Sequence, residues 1–357
     1  MAKEVRFFLG GHSPEGFVSL FDQLDKSREG WRKIIIKGGP GSGKSTLMKR
    51  CAAAMNEAGH RLETIPCASD PDSLDAVIDW DAKIAMADGT APHVIEAAYP
   101  GAFETVVNTA DAWEEDKLQE SRNAIVELAD AVSHLHGCAS ACVCGAGALL
   151  AQNRKTAAGV LDMDKIRQTG RELAKGWPEG ERAEETNRLL AAVSAGDVVF
   201  FAETLTALAD VIYEIDDPWG AGAHALLEDL RTQALDKKLK VIACPSFLAE
   251  KKVWAHLFLP ELGVAFTTAN RFHRGQWKPW VVRSLIAEDW MDRKALAHER
   301  PAMEACSDSA AAMVERAASF VAQARTLHDE LEAKYAAAMD YDMLNAMTER
   351  LIESITQ

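Results

Sequence analysis

The sequence predicts an α/β protein made of two parallel-sheet units, each followed by a helix-rich segment. Three observations carry this. An isoleucine run near the start leads through a glycine-rich loop into a helix; a second run, loop and helix of the same shape follows residue 210; and long Ala- and Glu-rich stretches come after each. A length of 357 residues allows two domains with a core each. They are expected at 1–195 (core about 1–101, helices about 102–195) and 196–357 (core about 196–275, helices about 276–357). The Gly-Trp-Pro-Glu-Gly-Glu stretch at 176–181 and a turn at Gly196 separate them.

Composition narrows the function. Apolar residues at 48% and charged residues at 26% fit a folded chain. Lys and Arg number 39 against 54 Asp and Glu, a net charge of −15, which excludes an extended nucleic-acid surface. The longest near-apolar stretch, 139–151, is shorter than the roughly 18–20 residues a bilayer crossing needs. The first residues carry charges and no long apolar core, so neither a secretory signal nor a membrane span is expected. With seven cysteines, an odd number, reduced thiols and a cytoplasmic location are expected.

In chain order, the first strand is read at 5–8. Residues 9–16 after it form either a lid or a plain connection. The next strand is Lys33-Ile34-Ile35-Ile36, and residues 38–45 then match G-x-x-x-x-G-K-[ST] at every defined position. A helix of good formers follows, ending at Gly59. Strand, loop and helix together are the context of a phosphate-binding loop, so the first unit is expected to be P-loop NTPase-like. Gly38, Gly41 and Gly43 permit close backbone approach. The N–H groups of Gly38, Gly39, Gly41, Ser42, Gly43, Lys44, Ser45 and Thr46, around Pro40, then surround the phosphates of ATP. Lys44 is expected on the β/γ-phosphates and the Ser45 hydroxyl on Mg2+.

The second half of such a site is an acidic residue ending a neighbouring strand. Ile84-Ala85-Met86-Ala87-Asp88 supplies it, with Asp88 holding Mg2+ through water. No second acid follows, so the water-activating base is sought elsewhere: His93, or Asp70 and Asp72. Each also reads as an ordinary turn or cap residue.

The C-terminal half carries a degenerate copy. Val211-Ile212-Tyr213-Glu214-Ile215 is read as a strand, and Gly220-Ala221-Gly222-Ala223-His224-Ala225-Leu226-Leu227 stands against Gly41-Ser42-Gly43-Lys44-Ser45-Thr46-Leu47-Met48. With one inserted residue the landmarks keep step: Lys44 to Asp88 spans 44 residues, and Ala223 to Thr268 spans 45. Cys67, His93 and Trp113 pair with Cys244, His273 and Trp290. Ala223 replaces the lysine, His224 the metal hydroxyl and Thr268 the acid, so triphosphate binding loses its electrostatic support there. This unit is expected to pack on the first and supply residues to its site.

Of the helical stretches, 114–135 has apolar residues at helical period, and 309–338 and 341–357 are Ala- and Glu-rich. His134, Cys138 and Cys142 share a helix face as a metal candidate, but without paired C-x-x-C spacing they are read as packing. The segment His328-Asp329-Glu330-Leu331-Glu332 is read as a solvated face. Around 275–283, Arg271, Arg274, Lys278 and Arg283 are candidates for a trans-acting cation, or line a surface loop.

These motifs together resemble a bacterial family of tandem P-loop ATPases. The resemblance runs over most of the chain. It rests on Phe8-Leu9-Gly10-Gly11-His12-Ser13-Pro14-Glu15-Gly16-Phe17, the phosphate loop, Ser69-Asp70-Pro71-Asp72-Ser73-Leu74-Asp75 and Asp88-Gly89-Thr90-Ala91-Pro92-His93. Tyr99-Pro100-Gly101, the 328–332 segment and Ala338-Met339-Asp340 extend it. It implies two P-loop-like units with helical additions. The second loop departs from it, since similar proteins can retain Gly-Lys-Ser there.

The function expected is a Mg2+-dependent ATPase that couples hydrolysis to movement between an active and a degenerate unit. A nucleotide or small-molecule kinase and a nucleotide-gated binding module are the alternatives, and the substrate or protein partner is not specified by the sequence. No arginine-rich lid supports the kinase. A GTPase is disfavoured because no N/T-K-x-D occurs, and an ABC-type ATPase because no Leu-Ser-Gly-Gly-Gln-like segment occurs.

Overall fold

The computed structural model describes residues 4–26, 29–250, 252–273, 275 and 282–356. Its elements in order are β1 (Val5–Arg6), β2 (Gly10–Ser13), β3 (Gly16–Ser19), β4 (Arg32–Lys37), α1 (Lys44–Glu57), β5 (Leu62–Pro66), β6 (Leu74–Asp79), β7 (Ile84–Asp88), β8 (Glu104–Asn108), α2 (Glu115–Glu120), α3 (Arg122–Ala158) and α4 (Met163–Leu173). The second half continues with β9 (Glu184–Asn187), β10 (Ala191–Val193), β11 (Val198–Phe200), α5 (Ala202–Leu208), β12 (Val211–Asp216), α6 (Gly222–Asp236), β13 (Lys240–Pro245), β14 (Trp254–Leu259), β15 (Val264–Ala269), β16 (Val282–Ile286), α7 (Arg293–Ala336) and α8 (Tyr341–Thr356).

The fold is mixed α/β with two six-stranded sheets of matching plan. The first has the order β8-β4-β7-β6-β5-β1 and the second β16-β12-β15-β14-β13-β9. In both, the pairs run parallel, parallel, antiparallel, antiparallel, parallel from the first-named edge. The sequence predicts two parallel sheets, and the structure corrects this: both are mixed, with β6 and β14 running against their neighbours. The connections explain it. Only seven residues separate β5 from β6 and eight separate β13 from β14, whereas a parallel pair would need a crossover of a dozen residues or more. The second sheet also begins with β9, ahead of the boundary expected at 196, and Gly196 lies in the turn between β10 and β11.

The halves meet at the segments that follow β1 and β9. Phe8 and Leu189 exchange both backbone hydrogen bonds, at 2.8 and 2.9 Å. A shared core surrounds them, in which Phe7 meets Phe258 edge-on and Phe8 stacks on Phe201. The buried Arg188 donates to the buried Glu63 across this seam.

The long helices cross over. α3 and α7 pack along each other, and each delivers a final helix to the opposite unit: α8 lies on α1 and α4 on α6. Leu351 and Ile355 of α8 are buried in the first unit's core beside Leu47 and Met48, while Ala157 and Ile166 are buried in the second. Each half is thus completed by the other's C-terminal helices. By length and composition α3 is apolar enough to cross a membrane, which no stretch in the sequence reading was. Its Ala139, Val143 and Ala146 pack in one cluster with Ala310, Val314 and Ala317 of α7.

Candidate functional site

The buried run Ile34, Ile35, Ile36 makes β4 a central strand, paired in parallel with β7 and β8. Its carboxyl end delivers the glycine-rich loop, and α1 starts at Lys44 after Gly43. Two glycines here are obligatory for distinct reasons. Gly43 turns at φ 81°, and a Cβ on Gly41 (φ 63°) would lie 2.4 Å from the Glu332 carbonyl oxygen. Thr109 braces the loop, its hydroxyl oxygen lying 2.8 Å from Ser42 Oγ and 3.0 Å from the Lys37 carbonyl oxygen.

Lys44 and Asp88 come together as the sequence reading requires. Lys44 Nζ lies 3.5 Å from Asp88 Oδ2 and donates to the Gly38 and Gly39 carbonyls at 2.9 and 2.7 Å. Asp88 is fixed on its other side by Thr90, whose N–H and hydroxyl both donate to Oδ1. Ser45 Oγ accepts the Leu74 N–H at 2.9 Å, which leaves its second lone pair for another partner. A hydroxyl, a carboxylate and an ammonium at adjacent strand ends form a donor set suited to a Mg2+-bound polyphosphate.

His93 is not part of this cluster. Its Nε2 lies 3.2 Å from Asp75, its ring stacks on Phe21 at 4.2 Å, and the side chain is buried. No hydrogen bond or ion pair among the described residues links it to Lys44, Ser45 or Asp88. The second unit explains why: His273, in the same place after β15, is also buried against aromatic rings although that unit lacks the lysine. The histidine serves packing of the β2–β3 and β10–β11 hairpins in both units. His93→Gln is accordingly expected to lower the melting temperature and leave nucleotide turnover within about twofold, checked by parallel thermal and phosphate-release assays.

Residues 9–16 form most of the packed β2–β3 hairpin, with Gly10 to Ser13 buried, and not an open lid. Asp70 is paired with Arg325 of α7 at 2.8 Å, and Asp72 lies 3.8 Å from the same guanidinium. Arg271 pairs with Asp308, and Arg283 lies over Tyr213; Arg274 and Lys278 fall outside the described residues. His134 and Cys138 are 3.7 Å apart, but the grouping of three ligand-bearing side chains found among the described residues is His328, Asp329 and Glu332.

That last segment is not simply a solvated face. Gly41 N–H donates to Glu332 Oε1 at 3.3 Å, and a Cβ on Gly39 would lie 3.3 Å from Tyr335 and 3.1 Å from Trp113. α8 adds Asn345, which accepts from Arg50 at 2.9 Å. No local pattern of residues signals these contacts, because they depend on the crossing of α7 onto the opposite unit. Comparisons with protein-family models, curated proteins and solved structures found no match.

The second loop is filled by a carboxylate from its own unit. Where the first unit has Gly38, the second has Asp217, which is fully buried. Its carboxylate accepts the N–H groups of Trp219, Gly220 and Ala223 at 3.1, 3.0 and 2.8 Å. Burial pushes the carboxyl above the ordinary carboxylate range, against amide hydrogen bonds that favour the charged form. His224 meanwhile accepts the Trp254 N–H at 3.2 Å, the counterpart of Ser45 and Leu74.

Two buried histidines away from both loops set a pH limit. His12, hydrogen-bonded to Ser140 and in contact with His136, is pulled down to about 4, first by burial and then by His136. His273 is lowered to about 4 by burial. Between pH 6.5 and 4 the unfolded chain takes up protons at these sites and the folded one does not, so stability falls as the pH drops through that window. The melting temperature is expected to decline from about pH 6.5 downward, and His273→Phe to flatten the slope.

Proposed function

We propose that the first unit is a P-loop NTPase unit that binds ATP with Mg2+ at residues 38–46 and hydrolyses it slowly, and that the second is a degenerate unit to which hydrolysis is coupled. The observation that carries this reading is Lys44 lying 3.5 Å from Asp88 at the ends of two adjacent parallel strands, in front of the α1 N-terminus. Loop amides and the positive helix end favour a phosphate chain, and the lysine neutralises charge on it. Ser45 and Asp88 would hold Mg2+, which supplies charge neutralisation to the transferred phosphoryl group. Asp217 in the second cradle and Ala223 in place of lysine support a single nucleotide per chain.

The test is titration of the full chain with ATP and Mg2+, followed by phosphate release without an added acceptor. Binding with acceptor-free release supports the ATPase. Turnover only with an acceptor would make the protein a kinase, and binding with no turnover a gated module. Absence of binding overturns the reading.

A further inference from the structure

We propose that Glu332 is a displaceable anion seated on the first phosphate loop until nucleotide replaces it, so that the end of α7 passes nucleotide binding to the second unit. The proposal rests on the nucleotide reading above. Its starting point is a correspondence between the two cradles. Gly41 and Gly220 stand at the same position in their loops, and the N–H of each donates to a carboxylate: Glu332 at 3.3 Å and Asp217 at 3.0 Å.

The two carboxylates are held very differently. Asp217 comes from its own strand end, has no exposure and takes three amides with good distances. Glu332 comes from the other unit's helix, accepts one amide at 3.3 Å, and its side chain is 46% exposed. The first is a permanent filling. The second is a weak occupant that a polyphosphate, with more charge and more acceptor oxygens, displaces. A carboxylate and a phosphate cannot share one N–H, and their like charges repel, so nucleotide entry and Glu332 seating exclude each other.

Displacement has a route across the molecule. The loop and the helix touch at this point, since a Cβ on Gly41 would lie 2.4 Å from the Glu332 carbonyl oxygen. Arg325, two turns earlier, ties the same helix to Asp70. At its other end α7 buries Leu296 and Met303 in the second unit's core, so the helix spans about 66 Å at 1.5 Å per residue from one unit to the other. Movement at Glu332 therefore reaches the second unit through one continuous helix.

The experiment is calorimetric titration of the full chain and its Glu332→Gln and Glu332→Ala variants with ATP and Mg2+, combined with hydrogen exchange over residues 325–340. Both variants should bind about three- to tenfold tighter, since a competing carboxylate is gone from a partly exposed contact. In the unmodified protein ATP should raise exchange in that segment; in Glu332→Ala the segment should exchange fast already and respond little. Equal affinity, or weaker binding in Glu332→Gln, overturns the proposal while leaving the nucleotide site intact. No binding by any form overturns both.

Discussion

Replacing Lys44 with alanine is expected to weaken binding of ATP and Mg2+ by at least about a hundredfold, a loss of two tenfold steps in affinity. The ammonium reaches the Gly38 and Gly39 carbonyls and Asp88, and among the described residues no other cationic side chain is hydrogen-bonded to the loop. Without it the carbonyls of Gly38 and Gly39 and the Asp88 carboxylate would face a triphosphate uncompensated. The matching control is His224→Ala in the second unit, where Asp217 already occupies the cradle. It removes one hydrogen bond to Trp254, costing about 1–3 kcal/mol of stability with affinity unchanged. Calorimetry on both variants reads the difference. Comparable loss in the two would show that both cradles hold nucleotide.

The largest effect on stability is expected at Arg188. Its guanidinium is buried, pairs with Glu63 and also donates to the Asn187 carbonyl at 2.9 Å. Arg188→Met would strand the Glu63 carboxylate in a dry seam between the halves, at a cost of about 3–5 kcal/mol. The double variant Arg188→Met, Glu63→Leu should recover most of it, because a buried ion pair is worth little more than well-packed apolar groups of similar volume. Chemical denaturation of the two forms decides. A single variant as stable as the parent would mean that the seam is wetter than the burial of both side chains implies.

Much of the plan was legible in the chain. The isoleucine run gave β4, the glycines gave the loop and the start of α1, and Ile84 to Asp88 gave β7, because each is a local pattern: a fully apolar strand, a backbone that tolerates positive φ, an acid at a strand end. The repeat in the second half was visible as order and spacing, and the matching strand plan of the two sheets agrees with it. His93 misled. A histidine five residues past a strand-end acid looks the same in sequence whether it faces a ligand or an aromatic stack, and burial beside Phe21 separates the two. The antiparallel β6 was equally hidden, since strand direction depends on how the chain reverses.

By itself the sequence determined which side chains stand at the two loops: lysine or alanine, serine or histidine, aspartate or threonine. Only the tertiary structure decided what surrounds each loop. That α7 brings Glu332 onto Gly41, and that Asp217 folds back into its own cradle, follow from packing between segments distant in the chain. Such contacts are set by complementary surfaces and by the crossing of α3 and α7, and no local pattern of residues encodes them.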